Sequence, residues 1–75
     1  MKNNSVYQEI SKLKRPEKEG LALKAGITVG YLEQLIYVEG REPSVALARR
    51  IEKASRGRFR KEDLLSSVDW SLIDR

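Results

Sequence analysis

Gly30, Glu33, Gln34 and Tyr37 recur at i, i+3, i+4 and i+7, a spacing that sets side chains along one stripe of an α-helix. Leu32, Leu35 and Ile36 fall on a second stripe at i, i+3 and i+4, apolar throughout. A helix divided in this way buries one face and offers the other. The offered groups are an amide, a carboxylate and a phenol, and their chemistry is hydrogen bonding to flat polar edges. A glutamine amide pairs bidentately with adenine, and a glutamate accepts from cytosine N4. Thr28 and Val29 head the same stretch with methyl groups suited to a thymine methyl. The hydroxyls of Thr28 and Tyr37 suit phosphate oxygens. The plain alternative is a solvated helix face that reads nothing.

Such a stripe works only if something presents it, and the sequence around it supplies a frame. Lys18 to Tyr37 reads as helix, tight turn, helix, with only Gly26-Ile27-Thr28 between the two helices. Gly26 can adopt the positive φ that the turn needs. Ala22 is small where a second helix must cross closely. Ile27 plugs the angle between the helices, and Thr28 can cap the second one. This is the helix-turn-helix pattern, in which the N-terminal residues of the second helix meet base edges in the major groove. Ala22, Gly26, Ile27, Leu32 and Leu35 would also serve as ordinary core and turn residues in any three-helix packing.

The remaining elements follow from the same signals. A first helix is predicted over Ser5–Lys14, with Val6, Ile10 and Leu13 inward. A second begins near Pro16, carries Glu17 and Glu19 in its first turn, and runs to Ala25 with Leu21, Ala22 and Ala25 inward. Gly20 within it is destabilising by about 1 kcal/mol relative to alanine. The third runs from about Val29 to Val38, and Glu39 to Pro43 forms a turn. Ser44 caps a fourth that extends through about Ser55, with Leu47, Ala48 and Ile51 inward and Gly57 as its stop. Arg58 to Arg60 reads as irregular, and a short fifth helix near Lys61–Ser66 buries Leu64 and Leu65. In the tail, Val68, Trp70 and Leu72 alternate like a strand, while Trp70 and Ile73 share a helical face. Residues 1–4 and 74–75 are expected to fray.

Seventy-five residues at 8.6 kDa make one domain, 1–75, with a thin core and little room for an enclosed substrate cavity. The sequence contains neither Cys nor His, which excludes thiolate and imidazole chemistry, disulfides, and metal sites built on those ligands. The adjacent Glu62 and Asp63 are accounted for by the dipole of a helix start. There is no nucleophile–base pair and no phosphate-binding glycine loop, so an enzyme is not expected, nor a cofactor, a metal or a small-molecule substrate. No apolar run approaches a membrane span, and the N-terminus lacks the apolar stretch of a signal peptide, so a cytoplasmic protein without a membrane partner is expected. The net charge is +4, unevenly spread. Residues 41–61 carry eight basic side chains against two acidic, and residues 62–75 carry four acidic against one basic. That polarity suggests an anionic partner. Arg49, Arg50 and Lys53 read as a solvated helix face. Arg56, Arg58 and Arg60 near Phe59 suit phosphate or an acidic partner.

Lys18–Tyr37 resembles the helix-turn-helix of Cro and lambda-repressor type regulators. More narrowly, Leu21 to Leu65 is similar to the small Cro-like and YdaS-like phage and prophage proteins. The residues carrying this are Leu21-Ala22, Ala25-Gly26-Ile27-Thr28, Tyr31-Leu32 and Gln34-Leu35. Gly40-Arg41 with Pro43-Ser44 follow, then Ala48-Arg49-Arg50-Ile51-Glu52-Lys53-Ala54-Ser55, Gly57 and Arg60-Lys61-Glu62-Asp63-Leu64. The chain departs from such regulators at two places. Lys18 and Glu19 stand where a Gln or Ser often braces a phosphate, and Gly30 removes a side chain where a base contact is often made.

The resemblance implies an all-α domain of about five helices, lambda-repressor-like, with a Cro-like α+β form ending in a short strand pair as the alternative. It implies a transcriptional regulator, a repressor, that binds a palindromic double-stranded DNA operator as a homodimer. Its localisation would be the bacterial cytoplasm, on the nucleoid when bound. Base contacts are expected from Thr28, Val29, Gly30, Glu33 and Gln34. Phosphate contacts are expected from Lys18, Tyr31, Tyr37 and Arg41, and a dimer interface from Phe59, Val68, Trp70 and Leu72. The rival expectation is a protein-interaction module, such as a small toxin or adaptor that binds a protein partner.

Overall fold

In a computed structural model, which describes residues 5–73, the chain is all-α, with six helices and no strand among the described residues. They are α1 (Ser5–Ser11), α2 (Arg15–Ala25), α3 (Val29–Tyr37), α4 (Val45–Ala54), α5 (Lys61–Leu64) and α6 (Trp70–Ile73). The fraying expected at 1–4 and 74–75 lies outside the described residues. The strand-pair alternative for the tail is overturned. Asp69 starts a helical turn instead: its carboxylate accepts the Ser71 N–H at 3.0 Å, and its carbonyl accepts from Leu72 and Ile73. The Trp70 indole N–H donates to the Leu65 carbonyl at 2.9 Å, fixing that turn back onto the domain.

Each helix has a chemical start or stop. The Glu17 carboxylate accepts the Lys14 N–H at 3.3 Å ahead of α2, one residue earlier than Pro16 alone suggested. Ser44 Oγ accepts the Leu47 N–H at 3.1 Å and caps α4. α1 ends sooner than its apolar spacing implied. The Leu13 N–H turns to the Ile10 carbonyl at 3.1 Å, a tighter turn that closes the helix while Leu13 still packs on the core. α4 ends on a non-glycine residue. Arg56 takes the left-handed position (φ 56°), with Gly57 after it also at positive φ. The Gly57 N–H then reaches back to the Glu52 carbonyl at 2.9 Å and the Arg56 N–H to Lys53 at 3.1 Å.

The core gathers the apolar stripes at one centre. Ile10, Leu35, Ile36, Ala48 and Ile51 are fully enclosed, with Leu32 and Ala25 at 1% exposure. α3 packs on α1 and α2, α2 on α4, and α5 on both α4 and α1. Glu52 ties α4 to α5: one carboxylate oxygen accepts the Lys61 N–H at 3.0 Å and the other lies 3.7 Å from Lys61 Nζ. Lys61 and Arg49 lie over the Trp70 ring, at 5.5 and 5.8 Å from its centroid, so the tail is held by cations from α4 and α5.

Tyr7 joins the core without having been marked by the α1 spacing. It is 3% exposed and its hydroxyl donates to the Leu64 carbonyl, linking α1 to α5. Burial, and after it the negative charge of Glu42, push its pKa up to about 12 from 10.0. An unfolded chain gives up that proton first, so the Tyr7 contribution is intact below about pH 10 and is lost as pH rises toward about 12. Chemical denaturation at about pH 9 and about pH 11.5 should register a loss on the order of 2 kcal/mol from this group. Tyr7→Phe should be less stable by ~1 kcal/mol at the lower pH and lack that alkaline loss.

Candidate nucleic-acid interface

α2 and α3 meet because of Gly26. It holds φ 75° and ψ 29°, a left-handed conformation that closes α2 without a Cβ penalty. The Gly26 N–H donates to the Leu23 carbonyl at 3.1 Å, and the Ile27 N–H to Ala22 at 2.9 Å. Ile27 packs against the core at the corner. Thr28 then opens α3, its Oγ1 accepting the Tyr31 N–H at 3.0 Å. The two helices are thus separated by three residues, with the second fixed at both its cap and its buried face.

That fixed helix divides as the spacing predicts. Leu32, Leu35 and Ile36 are at most 1% exposed. Thr28, Gly30, Gln34 and Tyr37 are exposed, and Val29, Tyr31 and Glu33 are half-buried. A Cβ at Gly30 would meet only Thr28 Oγ1, at 3.9 Å, so the surface is open there. Glu33 and Gln34 make no hydrogen bond or ion pair among the described residues, which leaves their polar ends available. Lys18 is half-buried on α2. The carboxylate next to it, Glu19, lies 3.7 Å from Arg15 across an exposed i,i+4 pair. Arg41 is exposed in the turn after α3, which Gly40 shapes at φ 80°.

The four residues expected at a dimer interface fare differently. Phe59 is 2% exposed and Trp70 8%, both within their own protomer. Both pack within the core of the single chain, which leaves each little surface to give to a partner. Val68 is half-buried against the same core. Leu72 alone of the four stands out, at 60% exposure, with Ile73 beside it at 37%. Ser67 Oγ donates to Glu42 at 3.1 Å, tying the loop before α6 to the turn after α3. Tyr37 and Val38, where α3 ends, are 46% and 44% exposed.

The basic block is not one solvated face. Arg49 lies over Trp70, Arg58 over Phe59 at 5.1 Å, Arg60 sits 3.7 Å from Glu62, and Lys61 sits between Glu52 and Glu62. Glu62 is held below the usual carboxylate range, first by a backbone hydrogen bond and then by Lys61 and Arg60. At least four of the eight cations are thus engaged within the fold. Sequence reasoning also passed over Leu23, which is 80% exposed on α2 and lines a shallow notch with Glu19, Ala22, Ile27 and Val29. Its signal was its position between Ala22 and Lys24, outside the inward set of Leu21, Ala22 and Ala25.

Among the described residues no cluster of His, Cys, Asp or Glu could hold a metal ion, and no helix is long and apolar enough to cross a membrane. Comparison with protein-family models, with curated proteins and with solved structures returns no match.

Proposed function

We propose that this protein is a sequence-specific double-stranded DNA-binding regulator of transcription that reads the major groove with α3. The observation that carries this reading is the division of α3 into a fully enclosed apolar face and an opposite side that presents Thr28, Gly30, Glu33 and Gln34, with no internal partners for the last two among the described residues and with Val29 half-buried at its edge. A helix rigidly held on one side and chemically unspent on the other suits base recognition. In this reading Lys18 on α2, Tyr31 and Tyr37 on α3 and Arg41 in the turn after it supply phosphate contacts. The 9-residue helix spans roughly 14 Å, which is enough for one half-site. Two copies, paired through the Leu72–Ile73 side, place two such helices in successive major grooves about 34 Å apart. Repression by occupying a promoter, in a bacterial cytoplasm and of the phage-regulator kind, is the mode this reading implies.

The test is selection of bound sequences from a random duplex pool at near-physiological salt. A palindromic motif with half-sites one helical turn apart is the expected result. No enrichment removes the DNA reading, and an asymmetric half-site removes the symmetric dimer. On the selected duplex, Gln34→Ala should relax preference at one base pair, by about 1–3 kcal/mol. A variant with unchanged preference would mean that Gln34 does not read a base. The 80% exposure of Leu23 favours a second reading, a module that binds a protein partner through α2. Such a module would show no sequence enrichment, and Leu23→Ser would abolish its capture of that partner.

A further inference from the structure

The starts of α3 and α4 face each other across an open cleft of about 350 Å³, lined by Ile27, Thr28, Tyr31, Ser44, Leu47 and Arg50. We propose that this cleft seats one backbone phosphate of the DNA duplex, with Arg50 as its charged anchor. The inference rests on the DNA-binding reading above and adds a binding site to it. Arg50 carries the only formal charge in the lining, and no carboxylate shares the cleft. Its neighbour Arg49 is engaged with Trp70, whereas Arg50 has no ion pair or ring contact among the described residues. Three hydroxyl-bearing residues, Thr28, Tyr31 and Ser44, line the cleft with it. Thr28 and Ser44 each use an oxygen lone pair to accept a backbone N–H, from Tyr31 and from Leu47, so each keeps its own O–H to donate outward. Tyr31 adds a third donor. Ile27 and Leu47 complete the lining with apolar surface.

An arginine, hydroxyl donors and no negative charge make a receptor for a tetrahedral oxyanion. The amino ends of α3 and α4 add a favourable field to the same space. Location identifies the source of the phosphate. Thr28 and Tyr31 belong to the first turn of α3, immediately before Glu33 and Gln34, so an anion seated here flanks the groove that α3 reads. Ser44, Leu47 and Arg50 lie three residues apart along one side of α4, which carries the site to a second element and fixes the angle of α3 against the backbone.

The full-length chain is titrated with the selected duplex and with an unrelated one across a salt series, as wild type, Arg50→Gln and Arg50→Lys. Arg50→Gln should weaken both duplexes about tenfold, and the slope of log K against log[salt] should fall by about 0.9 per protomer bound. Arg50→Lys should keep the slope. A scan with single neutral methylphosphonates should find one position per half-site that weakens wild type and leaves Arg50→Gln unaffected. An unchanged slope, or a scan that affects both proteins alike, overturns the clamp. So does a loss confined to the selected duplex, which would make Arg50 a base reader. If inorganic phosphate at matched ionic strength competes with wild type more than chloride does, and not with Arg50→Gln, the cleft is a free-anion site instead. Wild type that binds no duplex overturns the DNA reading itself, whereas wild type that binds while Arg50→Gln matches it overturns only the clamp. Arg50 is exposed, so an unchanged melting midpoint in the variants separates contact from folding.

Discussion

Raising monovalent salt from about 50 to about 200 mM should weaken binding to the selected duplex by roughly 10³-fold. The size of the effect follows from how many cations meet phosphate in the proposed complex. Of the eight basic residues in 41–61, Arg49, Arg58, Arg60 and Lys61 are engaged with Trp70, Phe59, Glu52 and Glu62. The net charge of +4 is therefore a poor guide to the number of phosphates neutralised. Lys18, Arg41 and Arg50 are the cations proposed to meet phosphate, and a dimer doubles them to about six, which is the count that gives a thousandfold loss over this range. A protein that binds as a single copy has about three, and loses only on the order of 40-fold. Fluorescence anisotropy across the salt series thus measures DNA binding and stoichiometry together. A flat profile would remove the DNA reading and return attention to Leu23 as a protein-binding feature.

Helix positions and most of the core were legible in the sequence because they rest on local chemistry. Gly26 stops α2 through positive φ and Gly40 shapes the turn after α3 in the same way, Thr28 and Ser44 start helices with a hydroxyl, and the apolar residues between keep the 3.6-residue period. What escaped depends on contacts made elsewhere. Gly57 looked like the stop of α4, yet Arg56 takes the first left-handed position, and sequence alone does not assign which of two adjacent residues does so. Val68, Trp70 and Leu72 alternate like a strand while Trp70 and Ile73 share a helical face, and the Asp69 cap with the bond from Trp70 to the Leu65 carbonyl decides between them. Tyr7 sits inward through a hydrogen bond to a residue 57 positions away. On the candidate site, the stripe of Glu33 and Gln34 was readable from spacing, whereas the separate surroundings of Arg49 and Arg50 were not. One cation lies over Trp70 and the other lines a cleft with Thr28, and adjacency in the chain hides a rotation of about 100° around the helix.

Phe59→Ala should lower stability by about 3–5 kcal/mol, measured by chemical denaturation of the full chain. A domain of this length is held by roughly 4–11 kcal/mol in total, so the loss is a large fraction, and the melting midpoint should fall by on the order of 20 °C. The reason lies in where the ring sits. Phe59 follows the irregular segment after α4, is 2% exposed within the core, and lines a hollow between α2 and the end of α4 together with Leu13, Leu21 and Ala54. Its backbone N–H donates to Ser55 Oγ at 3.0 Å, and Arg58 covers the outer face of the ring, so the surrounding chain is anchored and cannot collapse into the vacated volume. The same substitution distinguishes core from interface. A phenylalanine shared between two copies would alter the concentration dependence of unfolding and spare the stability of the isolated protomer. An enclosed one lowers stability equally at every protein concentration. Leu72→Ser, at a residue 60% exposed, is the counterpart: it should leave protomer stability within ~0.5 kcal/mol and weaken self-association, while Phe59→Ala does the reverse.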